Sequence, residues 1–138
     1  MTSDGCVFCA IVAGRMPAAI VYEDLRTLAF LDITAVMEGH TLVIPKAHVT
    51  DLWQITAADA AAVMRTAHRL ARRIREVLRP DGMTLFQANG EAGWQDVFHF
   101  HLHVVPRLTG DHLHRPWQAQ PRPLADLEKT RVRLSETG

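Results

Sequence analysis

Apolar residues along the chain fall into several short runs bounded by turn residues and one long stretch of helical period. Residues 19–23 and 27–31 are apolar or β-branched segments separated by Asp24-Leu25-Arg26, which predicts a hairpin. Thr41-Leu42-Val43-Ile44, stopped by Pro45, has the pattern of a buried strand. Residues 83–87 predict a further strand, residues 89–96 a glycine-containing loop, and residues 97–105 a last strand ended by Pro106. Thr56 opens the clearest helix, with Asp59 three residues on as a variant capping box, and the helix runs to Leu78 before Pro80-Asp81-Gly82 stops it. Its apolar stripe is Val63, Leu70, Ile74, Val77 and Leu78. Residues 7–13 predict a short helix that Gly14 ends, and Leu124, Leu127, Arg131 and Leu134 fall on one face of a terminal helix. Many short strands around one long helix imply an α+β fold.

Composition narrows the function classes. A chain of 138 residues falls in the range of one domain and buries a core of its own. Formal charge is zero, so no global basic field draws it to nucleic acid or anionic lipid. Arg65, Arg69, Arg72, Arg73 and Arg75 spread around the polar side of the long helix and read as a solvated face. The apolar runs are far shorter than the roughly 20 residues that span a bilayer, and the start lacks the basic and apolar stretches of a secretory signal. The expectation is a cytoplasmic protein without membrane or nucleic-acid partners. Cys6 and Cys9, the only cysteines, are badly placed for a disulfide that closes a useful loop; metal binding or redox chemistry is the better reading.

The chemistry concentrates in His99-Phe100-His101-Leu102-His103. On a strand, alternate side chains share a face about 6.6 Å apart, which puts the three imidazoles on one side and Phe100, Leu102 and Val104 on the other. A core face calls for aliphatics and a solvent face for mixed polar residues, so three histidines in a row have no packing rationale. This pattern, completed by Val104-Val105, resembles the histidine triad (HIT) family motif. The resemblance extends through Phe30-Leu31-Asp32-Ile33, residues 39–46 and Asn89-Gly90-Glu91, in the family's order and close to its spacing, over about residues 6–107.

The resemblance implies one HIT domain with residues 107–138 as a C-terminal extension. Its fold would be a five-stranded antiparallel sheet with one long and one short helix, paired as a homodimer. It gives His101 the role of nucleophile toward a nucleotide α-phosphate, a competent role for a neutral imidazole near pH 7. His40 and His103 match positions that donate to phosphate oxygens or the leaving group. Ile11, Phe30 and Ile33 match positions lining a base, Asp32 a ribose acceptor, and Asn89 and Gln95 positions beside the phosphate. The zinc-containing branch of the family takes two histidines that match His48 and His99, which with Cys6 and Cys9 make a closed tetrahedral set of the structural kind. The implied activity is hydrolysis of purine nucleoside phosphoramidates or dinucleoside polyphosphates through a nucleotidyl-histidine. Nucleotidyl transfer, or a zinc-stabilised binding module with little turnover, are the alternatives. Two residues depart from the pattern: Trp94 replaces a common glycine, and Asp96 stands where many members carry Ser or Thr. A carboxylate there repels phosphate unless it turns away, and the expectation is that it turns into its loop, leaving Gln95 and Asn89 to serve the phosphate.

Overall fold

The structure, a computed structural model, describes residues 3–136. Five strands form one antiparallel sheet in the order β1-β2-β3-β5-β4. They are β1 (Ile20–Glu23), β2 (Thr27–Leu31), β3 (Thr41–Pro45), β4 (Gly82–Gln87) and β5 (Leu102–Arg107). Three helices accompany them: α1 (Val7–Val12), α2 (Ala57–Leu78) and α3 (Leu124–Ser135).

Local chemistry explains most of these boundaries. The β1–β2 hairpin turns on Asp24, whose Oδ1 accepts from the backbone N–H of Arg26 at 2.9 Å and Thr27 at 2.8 Å. Thr56 caps α2, its Oγ1 accepting from Asp59 N at 3.1 Å. At the other end Arg79 takes the left-handed conformation at φ 52°. The Cys6 thiol plays the same part for α1, accepting from Cys9 N at 3.4 Å.

The sheet is packed on both faces. Against α2, Ala29, Val43, Leu102, Val104 and Phe100 close a core with Val63, Ala67, Leu70 and Ile74. On the other face Leu28, Phe30, Leu42 and Ile44 pack with Phe8 and Ile11 of α1. The central strands β2 and β3 are therefore buried almost throughout. A hydrogen bond of 2.7 Å between the Thr27 and Thr66 hydroxyls joins sheet to α2.

Two expectations are corrected. The last strand begins at Leu102, not residue 97, and continues through Pro106. Upstream of Leu102 the backbone leaves the β3 ladder, and Phe100 N donates to Val49 O at 2.7 Å instead. Pro106 is tolerated because β3 pairs with β5 only as far as Thr41↔Val104, so that flank of the strand has no partner there. The buried stripe of α2 ends at Ile74: Val77 is 56% exposed and Leu78 37%, while Ala62, Thr66 and Ala67 fill the buried positions nearer the start. The terminal helix forms as expected, with Leu124, Leu127 and Leu134 exposed.

Candidate functional site

The departure of residues 97–101 from the ladder disperses the three histidines to different partners, though all keep the α1 side of the sheet. Phe8 of α1 sets its ring edge-on to both His99, at 5.9 Å between centroids, and His101, at 5.2 Å. Every hydrogen is assigned from its partners. His99 donates from Nε2 to the carbonyl of Pro45 at 2.8 Å, which leaves a lone pair on Nδ1. That lone pair faces two sulfurs, Cys6 Sγ and Cys9 Sγ, each 3.5 Å away. Cys9 Sγ is in turn 3.2 Å from His48 Nδ1.

The four ligand atoms of Cys6, Cys9, His48 and His99 lie within 4.8 Å of one another. Tetrahedral zinc with Zn–S of about 2.3 Å and Zn–N of about 2.0–2.1 Å holds sulfur and nitrogen about 3.5 Å apart, so the observed separations fit a metal of that size. The Pro45 carbonyl supplies the outer hydrogen bond that orients a ligating imidazole. Burial holds the His99 pKa down to about 4, against the Pro45 hydrogen bond, and it pushes the Cys9 thiol up to about 11, with Cys6 beside it acting the same way. A cation among these groups reverses the second effect, since it binds thiolate.

His101 donates from Nδ1 to the His99 carbonyl at 2.8 Å. In the neutral ring this leaves Nε2 as a free lone pair, the atom a nucleophile needs. Beside it a second pair is set in series. The Val36 N–H donates to His40 Nδ1 at 3.2 Å, so the proton of a neutral His40 sits on Nε2, which is 2.9 Å from His103 Nδ1. His103 then carries its own proton on Nε2. Burial lowers the pKa of both rings, that of His103 to about 4, with neighbouring histidines adding to the effect on His103. Both shifts favour the neutral ring at rest.

Asp32, His40 and His103 also place three ligand atoms within 4.8 Å. The Val36 bond argues against a cation there, because His40 would have to move its proton to the nitrogen that already accepts Val36 N–H. Asp32 Oδ2 instead lies 3.4 Å from His40 Nε2, and its Oδ1 accepts from the Thr34 N–H and hydroxyl at 2.8 and 2.9 Å.

The remaining candidates divide. Ile11 and Phe30 are buried beneath the site, whereas Ile33 is 99% exposed. Asn89 and Gln95 brace the loop between β4 and β5. Asn89 Oδ1 accepts from Leu52 N at 2.7 Å, and its amide exchanges hydrogen bonds with Gln87. Buried Gln95 donates to the Thr50 carbonyl at 2.6 Å and accepts from Gly90 N at 2.8 Å. Asp96 meets the expectation in part: it takes a backbone N–H of its own loop, yet it does not turn fully away from the site. Its Oδ1 does take the Val97 N–H at 2.9 Å, but the same atom stands 3.4 Å from His101 Nε2.

Sequence reasoning missed Phe86, which stacks on His103 with centroids 4.0 Å apart and planes at 11°. The signal is the antiparallel register Phe86↔His103, invisible before strand pairing is known. It also missed the stack of Trp94 on Trp117, 5.9 Å apart at 21°, which ties the C-terminal segment to the loop carrying Asp96.

The HIT domain family matches residues 13–110. Among curated proteins, the chain is 43% identical over 117 residues to "Protein hit" of Bacillus subtilis, covering 84% of this chain and 81% of that one. A solved HIT family protein from Bacillus anthracis superposes with TM-score 0.91 at 37% identity, covering 97% of both chains. A Zn-bound histidine triad family protein from Mycobacterium smegmatis gives 0.78 at 41% identity, over 94% of this chain and 99% of that one. A histidine triad nucleotide-binding protein from Candida albicans gives 0.85 at 28% identity, over 94% of each.

Proposed function

The chain belongs to the HIT domain family, and on that premise we propose that it hydrolyses purine nucleoside phosphoramidates or dinucleoside polyphosphates at the α-phosphate through a covalent nucleotidyl-His101. The observation that carries this reading is the hydrogen bond from His101 Nδ1 to the His99 carbonyl, which in the neutral ring puts the lone pair on Nε2. In the first step the Nε2 lone pair forms a bond to phosphorus as the bond from phosphorus to the leaving group breaks. The leaving atom takes the electron pair and a proton from His103 Nε2 after solvent has loaded one extra proton onto the His40–His103 pair, whose 2.9 Å contact shares it, so the pair ends neutral. In the second step water forms the new P–O bond, the P–N bond breaks, and the water proton returns to the His103–His40 pair. Splitting one displacement into two in this way lowers each barrier.

In this reading the nucleotide lies over Ile11, Phe30 and Ile33, with Asp32 Oδ2 toward its ribose, while Asn89 and Gln95 hold the phosphate-side loop in shape. Zinc would be held by Cys6, Cys9, His48 and His99 and would supply no chemistry beyond stabilising the fold, since four protein ligands leave no position for water. The exposed edge of β4, with Leu85 and Phe86 39% and 46% exposed, supports pairing with a second copy. No helix among the described residues is long and apolar enough to cross a membrane, consistent with the cytoplasmic placement proposed.

Single-turnover labelling tests the reading. Mixing excess protein with a nucleotide labelled at the α-phosphate and quenching in alkali should trap an acid-labile label on His101. Turnover with no trapped label at any time point would show that water attacks directly. Absence of turnover would favour a zinc-stabilised nucleotide-binding module, and product formed on an added phosphorylated acceptor would favour transfer.

A further inference from the structure

Four of the five arginines of α2 do more than cover a solvated face. Arg65, Arg69, Arg72 and Arg73 line one open cleft of about 1540 Å³ together with Arg26 of the β1–β2 hairpin. The cleft runs beside β1, at the edge of the sheet opposite β4. Its charges are unevenly matched. Arg26 pairs with Asp59 at 3.6 Å and Arg73 with Glu76 at 3.6 Å, while the Arg69 guanidinium lies 4.9 Å from the centroid of the Tyr22 ring. Arg65 and Arg72 meet no carboxylate among the described residues. Asp24, which also lines the cleft, is engaged by the hairpin itself: Oδ1 takes the N–H groups of Arg26 and Thr27, and Oδ2 the Tyr22 hydroxyl at 3.2 Å. Five guanidinium groups thus face two lining carboxylates in a chain whose formal charge is zero. Such a local excess draws anions in from about a Debye length, roughly 8–10 Å.

Two further features select the kind of anion. Val21, Leu25 and Met64 line the same cleft and are 47%, 96% and 53% exposed, so it offers apolar contact as well as charge. Among the described residues β1 pairs only with β2, which leaves its outer edge with unpaired backbone N–H and C=O groups beside the arginines. An extended peptide uses all of this at once: backbone to the strand edge, carboxylates to the guanidinium groups, apolar side chains to Val21 and Leu25. A single-stranded nucleic acid needs open aromatic faces for its bases, and the tyrosine of the cleft already carries Arg69 on one face. A second copy of the chain is a poor source of such a segment. Its one pair of adjacent acidic residues, Glu23-Asp24, belongs to this same hairpin, and Glu23 is bound to Lys46 at 2.6 Å. We propose that the cleft between α2 and β1 is a docking surface for an extended acidic segment of another protein, seated along the free edge of β1 with its carboxylates on Arg65 and Arg72.

The test titrates the full-length protein into a fluorescein-labelled peptide of alternating Glu and Val, followed by anisotropy. The same peptide with Gln in place of Glu, and a labelled oligouridylate of equal length, are run beside it. Affinity for the acidic peptide should fall at least about fivefold between about 50 and 300 mM salt, and at least about tenfold in Arg65→Gln/Arg72→Gln, with no measurable binding of the Gln peptide. Both arginines are exposed, and a thermal midpoint within a few degrees of wild type shows that the double variant is folded. In NMR spectra the amide signals of residues 20–26 should move with the acidic peptide while the imidazole signals of His101 and His103 stay, which separates this surface from the histidine site. No binding of the acidic peptide, equal binding of the Gln peptide, affinity unchanged in the double variant, or shifts confined to the histidines would each overturn the proposal. Tighter binding of the oligouridylate than of the acidic peptide would overturn it too, and assign the cleft to nucleic acid.

Discussion

Each imidazole in this site is defined by the atom that fixes its opposite nitrogen: Pro45 O for His99, His99 O for His101 and Val36 N for His40. On the proposed reading, three backbone groups thus turn chemically identical side chains into a metal-facing lone pair, a nucleophile and a proton source. If His101 is the nucleophile it contributes mainly in the transition state, and His101→Ala should abolish turnover and covalent labelling while nucleotide affinity, measured by calorimetry, stays within about tenfold of wild type. Residual kcat above about one per cent would mean that another group attacks. The existence and spacing of these histidines are legible in the sequence, since alternation is a local property. Their partners are not, because Pro45 and His40 lie 54 and 63 residues from the histidines they meet. The nearness of Asp96 to His101 was not legible either, because it appears only once the loop before β5 is folded against the site.

At the level of elements, the hairpin, β3, α1 and the long helix follow from period, caps and turn chemistry that the chain carries locally. What fails is the start of β5, where a β-rich run gives up its ladder for Val49 O, and the last turn of α2, where apolar Val77 meets solvent. In both places tertiary partners override local pattern. Gly39 shows how tight the same region is. It adopts φ 86°, and a Cβ there would stand 2.5 Å from Leu78 Cδ1 and 3.2 Å from Pro106 Cγ. Gly39→Ala should cost about 1–3 kcal/mol in urea denaturation and disturb the adjacent His40, lowering kcat as well. A change under about 0.5 kcal/mol would show that the turn has room. After β5 the chain is tied by Arg107, which gives two hydrogen bonds to Asp111, at 2.8 and 2.7 Å, and one to Leu113 O. The Arg107 bonds hold the Asp111 carboxyl well below the usual carboxylate range. A carboxyl lowered on folding stabilises the protein above its unfolded pKa of about 3.9 and loses that contribution as pH falls toward the folded value. Asp111→Asn should therefore be less stable than wild type at pH 7, and the difference should shrink below about pH 4; a gap independent of pH in thermal melts would assign the effect to packing.

For the whole molecule, the Cys6, Cys9, His48 and His99 cluster joins α1, the segment after β3 and the segment before β5, three parts of the chain that share no strand pairing at those points. Elemental analysis of protein purified without chelator should find one zinc per chain, and none in Cys6→Ser/Cys9→Ser. Removing the metal should lower the thermal midpoint by roughly 10 °C, on the scale of 3 kcal/mol for a chain of this size; an unchanged midpoint would remove the metal from the folding balance. The stacked indoles of Trp94 and Trp117 give the molecule a property of a different order. Two transition dipoles held 5.9 Å apart, with ring planes 21° from parallel, couple as excitons, so the protein carries an optical gauge of where its tail lies. Trp53, the third tryptophan, is absent from that stack and supplies only background. The split band in far-ultraviolet circular dichroism should vanish in Trp117→Phe, and in the wild type it should change on nucleotide addition if the ligand wedges the indoles apart, reading out occupancy of the loop with light alone.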